Sequence, residues 1–320
     1  PKPQNPVNVD FFHPLMTSYS RSLRFLFEHL VKERRAPCFQ VDSRQIHLIT
    51  DPMDYYLAVN RLIERSERRI SMSALYLGTG KLEQFMMSKL DRQLQAKSHL
   101  RVSMLVDYMR GTRTNRDGQS SRSLMSKLKE TNYGRNVRMS LWHNPETGFL
   151  KGKGSQGPLR EIWGVHHVKV HVFDDHVMIT GANLSEDYFT DRQDRCVVIQ
   201  DCAPLADYFD DLISVMQDLS YTLDDSGDLH MLPHYAEPIK ETKKYKSQFA
   251  HHLKFFRFSN RSHVATDDLT MEKFFGDDQD VDESAPRLDP LLAREGPRKA
   301  ADLEDVEPLF STREELKPEE

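Results

Sequence analysis

Residues 164–187 read GVHHVKVHVFDDHVMITGANLSED, and this stretch decides the fold. Apolar and polar residues alternate over 168–173, and a second apolar run covers 177–180, which predicts two strands joined as a hairpin. The Asp174-Asp175 pair between the strands supplies the turn. The second strand runs back along the first and ends at the turn Gly181-Ala182-Asn183. This turn is therefore expected to lie beside the start of the first strand.

Strands and helices alternate on both sides of the hairpin. Further predicted strands are 69–77, 100–106, 137–142 and 196–199, and predicted helices are 51–66, 81–94, 121–130 and 205–219. Strands that alternate with helices predict an α/β protein, a layered domain with a mixed β-sheet flanked by helices.

The composition divides the chain into four parts. A leader, 1–36, contains a basic amphipathic helix at 18–35, which either rests on anionic lipid or, as we favour, packs on the domain. The α/β domain follows at 37–222, and a helical and loop extension at 223–266. The acidic tail, 267–320, has few aromatic residues and is predicted to be largely disordered.

Charge and hydropathy exclude several classes of protein. The chain has 320 residues and a net charge of −5, but the tail alone has 18 acidic and 7 basic residues, which leaves a net +6 on the remainder. That charge is too weak for a nucleic-acid-binding face, so we expect no nucleic acid partner. No apolar run approaches the roughly 18 residues of a membrane span. Three cysteines without paired spacing predict free thiols in a reducing compartment.

The residues that carry chemistry are His167, Lys169 and Asp174, which have the spacing H-x-K-x-x-x-x-D. On a strand, His167 and Lys169 point to the same side, with the intervening valines turned towards the core. An imidazole is able to attack a phosphodiester phosphorus, and a lysine ammonium neutralises the charge that builds on its oxygens. Asn183 adds a neutral donor, and Asp174 orients a histidine or a lysine. His171 shares this side as a partner or, as we favour, as a structural histidine.

Two further segments are candidates for phosphate binding. Gly78, Thr79 and Gly80 follow a strand and precede a helix, so their backbone N–H groups are positioned to meet a phosphate. The segment lacks the first glycine and the Ser or Thr of a P-loop, and we favour a plain turn. Arg110 and Arg113 follow another strand and either clamp a phosphate or belong to a solvated loop. Residues 192–195 are expected to brace the hairpin through charge pairs.

These residues resemble the phospholipase D superfamily, whose hallmark is the HKD motif. The blocks SALYLGTGKLEQ at 73–84, VDYMRGTR at 106–113 and the run at 165–195 are similar to eukaryotic, mitochondrial-type phosphatidylglycerophosphate synthases, and the resemblance covers about 37–219. It implies a phospholipase D-like fold with His167, Lys169 and Asp174 as the first HKD motif.

The resemblance also implies the reaction. A phosphatidyl group passes from CDP-diacylglycerol through a phosphohistidine to glycerol 3-phosphate, with CMP as the other product. The family works at the surface of the inner mitochondrial membrane, and the resemblance implies peripheral membrane association there, with no cofactor and no metal.

The chain departs from the family by containing one HKD motif where the family pairs two. A second candidate, His252-Leu253-Lys254, has Ser259 where the motif requires Asp. We therefore expect the N-terminal catalytic half of such an enzyme, from which the proton donor for CMP is missing. A homodimer is one way to supply the second motif. The alternatives are a single-motif phosphodiesterase or nuclease that acts as a homodimer, and a half-enzyme without catalytic activity.

Overall fold

The computed structural model describes residues 37–132, 135–146 and 164–259. The predicted leader helix at 18–35 and the acidic tail at 267–320 lie outside these residues. No helix in the described part of the chain is both long and apolar enough to cross a bilayer.

The described residues contain one mixed sheet of nine strands in the order β1-β7-β6-β5-β2-β3-β4-β8-β9. The strands are β1 Ile46–Ile49, β2 Arg69–Ser73, β3 Arg101–Asp107, β4 Val137–Trp142, β5 Val170–Phe173, β6 His176–Thr180, β7 Cys196–Ile199, β8 Tyr221–Leu223 and β9 Leu229–His230. The helices are α1 Pro52–Arg65, α2 Lys81–Ala96, α3 Tyr108–Gly111, α4 Ser121–Thr131, α5 Glu186–Thr190, α6 Ala203–Asp218 and α7 Thr242–Ser259.

The strand directions bring several strand ends to one edge of the sheet. Strands β2, β3 and β4 are parallel, and β5 pairs antiparallel to β2. Strands β5, β6, β7 and β1 then alternate in direction. The carboxyl ends of β2, β3, β4 and β6 therefore lie at the same edge as the amino ends of β5 and β7. We call this the catalytic edge, because the candidate catalytic residues His167 and Lys169 directly precede β5.

Helices cover both faces of the sheet. Ile70 and Met72 of β2 point into a hydrophobic core that they share with buried side chains of α1, α2 and α4. Ser71, between them, points to the other face, where its hydroxyl donates to Asp210 of α6 at 2.5 Å. Arg69 also forms an ion pair with Asp210, at 3.2 Å, and this fixes α6 against the sheet. The layered α/β architecture expected from the sequence is confirmed.

Helix starts follow from local sequence. Asp51 caps α1 by accepting from the backbone N–H groups of Met53 and Asp54, with Pro52 in the first turn. Ser120 caps α4 in a reciprocal arrangement with Ser123. These caps explain why the predicted helices at 51–66 and 121–130 begin where they do.

The structure differs from the sequence prediction at several strand ends. Strands β1, β8 and β9 were not predicted, and β8 crosses the expected domain boundary at residue 222. Strand β2 ends at Ser73 rather than at residue 77, and β5 begins at Val170 rather than at residue 168. The predicted strand position of His167 and Lys169, with Val168 in the core, was therefore wrong, and Val168 is 42% exposed.

Side chains from neighbouring strands explain the late start of β5. The Ser73 hydroxyl donates to the Val168 carbonyl at 2.9 Å, and the Asp107 carboxylate accepts from the His166 N–H at 2.9 Å. Because these side chains form the hydrogen bonds that a neighbouring strand would otherwise provide to the Val168 carbonyl and the His166 N–H, the segment stays outside the sheet until Val170.

Candidate active site

His167 and Lys169 form a close pair at the catalytic edge. The Lys169 Nζ lies 3.1 Å from both ring nitrogens of His167. The lysine is 6% exposed, whereas the imidazole of His167 is open to solvent. Burial and the neighbouring ammonium lower the pKa of His167, which favours the neutral, nucleophilic form of the ring. Burial also lowers the pKa of Lys169, an effect that the Asp194 carboxylate opposes.

The buried side chains of His166 and Ser73 hold the chain next to His167. His166 is 4% exposed, and its Nε2 lies 2.7 Å from the Ser73 hydroxyl. Since that hydroxyl gives its proton to the Val168 carbonyl, it accepts from His166. Burial, with the charges of Lys169 and His167, lowers the pKa of His166 to about 4, so the ring is neutral at neutral pH.

Asp107 links this segment to the next loop. One of its oxygens accepts from the His166 N–H at 2.9 Å, and the other accepts from the Arg110 N–H at 3.0 Å. Ser73, Asp107 and His166 were not predicted as site residues from the sequence. Their positions at the carboxyl ends of two parallel strands and beside the motif histidine were the available signals.

Asp174 lies at the opposite end of β5 from His167 and Lys169. Its carboxylate accepts from the backbone N–H groups of Glu67, Arg68 and Arg69 at 2.8, 2.8 and 3.0 Å. Burial raises the pKa of Asp174, but these hydrogen bonds outweigh it and the net pKa is lowered. Five residues of extended chain, about 16 Å, separate Asp174 from Lys169. The third residue of the motif thus holds the hairpin turn to the start of β2 and is remote from the imidazole.

The turn after β6 brings Asn183 to the catalytic edge. The Thr180 N–H donates to the Lys169 carbonyl at 3.3 Å, which fixes the start of this turn beside the lysine. Asn183 is 3% exposed, and its side-chain Oδ1 has no hydrogen-bond partner among the described residues. The predicted proximity of this amide to the motif is consistent with the pairing of β5 and β6.

Asp194 belongs to the candidate site, although the sequence predicted for it only a role in bracing the hairpin. It precedes β7, whose first residue, Cys196, pairs with Thr180. A Cβ at Gly181 would lie 2.5 Å from the Asp194 Oδ2, so the glycine makes room for this carboxylate. The carboxylate is the negative charge that raises the pKa of Lys169. Only the pairing of β6 with β7 brings it there.

The segment of Gly78, Thr79 and Gly80 lies beside Leu184–Glu186, directly after Asn183. The Gly78 N–H donates to the Leu184 carbonyl at 2.7 Å and is not available to a phosphate. The carboxylates of Glu83 and Glu186 occupy the space where a Cβ on Gly80 would lie. The Glu186 carboxylate, the space filled by these side chains and the occupied Gly78 N–H disfavour an anion here, and the segment instead holds the turn that contains Asn183.

Glu83 is the buried carboxyl of this contact. It is 1% exposed, and its Oε1 accepts from the Glu186 N–H, whereas Oε2 has no hydrogen-bond partner among the described residues. Burial raises the pKa of Glu83 to about 7, and the charge of Glu186 acts in the same direction. The carboxyl is therefore substantially protonated near neutral pH.

The two candidate arginines lie just beyond β3. The guanidinium of Arg110 lies 4.9 Å from the centre of the Tyr76 ring, a cation–π contact at the end of the neighbouring strand. Arg113, two residues after the end of the short helix α3, is exposed. Both arginines follow Asp107, the last residue of β3, and so lie near the catalytic edge.

His171 lies away from the solvent-exposed site. It is fully buried, its Nε2 lies 3.3 Å from the Tyr55 hydroxyl, and burial lowers its pKa to about 3. It is a neutral histidine of the core.

Among the described residues, no three His, Cys, Asp or Glu side chains are arranged to hold a metal ion.

Known proteins resemble this chain in sequence and in fold. No protein-family model matches the chain. The mitochondrial CDP-diacylglycerol–glycerol-3-phosphate 3-phosphatidyltransferase of Mus musculus is 37% identical over 210 residues, which are 64% of this chain and 37% of that protein. The chain thus spans 37% of the length of the first curated relatives that it matches.

Two solved structures are similar in fold. The phosphatidylserine synthase of Haemophilus influenzae has a TM-score of 0.50 and 23% identity, with 74% of this chain and 48% of that one covered. The phospholipase D family member Nuc from Salmonella typhimurium has a TM-score of 0.40 and 16% identity, with 58% and 98% covered. The layered α/β fold expected from the sequence is shared with that phosphatidylserine synthase.

Proposed function

We propose that this chain, a homologue of the mitochondrial CDP-diacylglycerol–glycerol-3-phosphate 3-phosphatidyltransferases, supplies the nucleophilic half of that reaction. The observation that carries the proposal is the solvent-exposed imidazole of His167 with the buried Lys169 ammonium 3.1 Å from its ring nitrogens. A neutral imidazole is the nucleophile, and a lysine beside it attracts the phosphate oxygens of the substrate.

In the first step, a ring nitrogen of His167 attacks the phosphorus of the phosphatidyl group of CDP-diacylglycerol. The bond from this phosphorus to the bridging pyrophosphate oxygen breaks, and CMP leaves with the electron pair. Lys169 stabilises the negative charge on the non-bridging oxygens, and the Asn183 amide donates to the same oxygens. The product of this step is a phosphatidyl group bonded to His167.

In the second step, a hydroxyl oxygen of glycerol 3-phosphate attacks the same phosphorus. The phosphorus–nitrogen bond breaks, the imidazole is released, and the hydroxyl proton passes to a general base. His166, next to His167 in the sequence, has its Nε2 hydrogen-bonded to the Ser73 hydroxyl. We therefore propose that a second HKD histidine, from a partner copy or from a longer chain, serves as acid and base.

The lipid substrate and the relatives guide the cellular assignment. CDP-diacylglycerol is embedded in a bilayer through its acyl chains, so the enzyme has to work at a membrane surface. The mouse relative is named a mitochondrial protein. We propose that this chain acts in mitochondria, peripherally at the inner membrane.

The test is the intact mass of the whole chain after brief incubation with detergent-dispersed CDP-diacylglycerol and a quench that avoids acid. We expect the mass to rise by one phosphatidyl group, and His167→Ala to abolish the rise. His99→Ala, which removes an exposed histidine before β3, is the matched control and should retain it.

Three results contradict the proposal. An adduct that persists in folded His167→Ala assigns the nucleophile elsewhere, and a folded wild-type chain without adduct removes His167 as a competent nucleophile. An adduct that is released to water, with no transfer to glycerol 3-phosphate even when a second HKD half is added, favours a phosphodiesterase.

A further inference from the structure

Helix α7 carries a concentrated positive charge. Its residues, Thr242–Ser259, include five basic side chains and no acidic one, although the whole chain has a net charge of −5. The basic residues are Lys243, Lys244, Lys246, Lys254 and Arg257. Such a charge on one helix indicates a surface that meets an anionic partner.

One side of α7 packs on the domain. Tyr245 is buried and its hydroxyl donates to the Leu219 carbonyl at 2.7 Å. Phe256 is also buried, with its ring centre 5.0 Å from that of Tyr208 in α6. These contacts fix the rotation of the helix about its own axis.

The other side is exposed and basic. Lys243, Ser247, His251 and Lys254 follow one another at helical spacing on this side, and all four are exposed. Phe255, at its border, is 64% exposed. Whereas Lys244 and Lys246 form ion pairs with Glu241 and Glu146, neither Lys243 nor Lys254 forms one with a described residue. Cations about 17 Å apart thus share one face with a large exposed aromatic side chain.

The helix also lies close to the catalytic edge. The Phe249 ring centre is 6.4 Å from that of Trp142, at the carboxyl end of β4, and Trp142 is in turn 6.3 Å from the His166 ring. A surface that binds at α7 is therefore only a few side chains from His167. This location suits a partner that also carries the substrate.

We propose that the exposed face of α7 binds an anionic phospholipid bilayer, with the lysines at the headgroups and Phe255 inserted at the interface. Basic residues attract an anionic leaflet, and an exposed aromatic residue on an amphipathic helix anchors it there. The inference deepens the proposed function, and rests on it for the lipid nature of the substrate. It assigns the membrane contact to α7 rather than to the leader helix alone.

The experiment measures sedimentation of the whole chain with two kinds of vesicle, phosphatidylcholine alone and phosphatidylcholine with about one third phosphatidylglycerol. We expect binding only to the anionic vesicles. In Lys243→Gln/Lys254→Gln, the loss of two charges should weaken this binding about 25-fold, at about fivefold for each lysine. Phe255→Ser should weaken it further.

The matched control is Arg65→Gln/Arg92→Gln, which removes two exposed charges from α1 and α2. These helices cover the face of the sheet opposite to α6, so the control should bind vesicles like wild type. Equal binding by wild type and the lysine variant overturns the inference, as does indifference to phosphatidylglycerol. Tighter binding to a single-stranded oligonucleotide than to anionic vesicles overturns it in favour of a nucleic acid partner.

Adduct formation with detergent-dispersed CDP-diacylglycerol separates the two proposals. The lysine variant should form the His167 adduct as fast as wild type, because no bilayer has to be bound in that assay. Vesicle binding without any adduct contradicts the proposed function alone, and adduct formation without vesicle binding contradicts the role of α7 alone.

Discussion

Replacing Glu83 by glutamine should stabilise the protein at alkaline pH and not at acidic pH. The ordinary pKa of a glutamate is 4.5, and burial raises the pKa of Glu83 to about 7 in the folded chain. Below pH 4.5 the carboxyl is protonated in both the folded and the unfolded chain, so its ionisation does not change the free energy of unfolding. Between pH 4.5 and 7 the unfolded chain loses the proton first, and stability falls by about 3 kcal/mol in total. Above pH 7 the carboxyl is ionised in both the folded and the unfolded chain, so this loss of stability stays constant.

The Glu83→Gln variant keeps an oxygen to accept from the Glu186 N–H and carries no charge. Its free energy of unfolding, from urea titrations at pH 4.5 and pH 8, should therefore gain about 3 kcal/mol on wild type between the two pH values. Glu130→Gln on α4 is the matched control, because Glu130 is an exposed glutamate, and its difference from wild type should be the same at both. A pH-independent difference between Glu83→Gln and wild type would refute the reasoning.

The other predictions concern the ends of the HKD hairpin. Asp174→Asn should lower the free energy of unfolding by about 1–3 kcal/mol, because an amide oxygen replaces a carboxylate that serves three N–H groups. The folded fraction should still form the phosphatidyl adduct at the wild-type rate, and a slow adduct in a fully folded variant contradicts the assigned role. Asp194→Asn should lower the pKa of Lys169 further, since it removes the charge that raises it. The fall in the rate of adduct formation at alkaline pH should then begin at lower pH. Asp187→Asn, which replaces an exposed aspartate, is the control and should leave this pH dependence unchanged. An unchanged pH dependence in Asp194→Asn refutes the electrostatic coupling.

Local pattern was sufficient where the partner of a residue is near in sequence. Strands β5 and β6 were predicted from alternation and from the Asp174-Asp175 turn, and the hairpin then brings Asn183 back towards the start of β5. The caps of α1 and α4 are likewise encoded within a few residues of the helix starts. These features need no information from distant parts of the chain.

Distant contacts decided what the pattern did not. His167 and Lys169 precede the strand because Ser73 and Asp107, from β2 and β3, bind the backbone between and before them. For the Gly78–Gly80 segment the sequence favoured a plain turn and left phosphate binding open, and the packing that brings Glu83 and Glu186 to it disfavours the phosphate. No spacing rule in the sequence indicates these contacts.

The sequence by itself determined the α/β class and the hairpin, and it indicated His167 and Lys169 as the proposed nucleophile and its neighbour, because strand alternation and the H-x-K spacing are local properties. The tertiary structure alone decided that Asp174 clamps a turn about 16 Å from Lys169, and that the charge of Asp194 raises the pKa of that lysine. The physical reason is that hydrogen bonds and charges act over a few ångströms. Only the order of strands in the sheet determines which distant residues come that close.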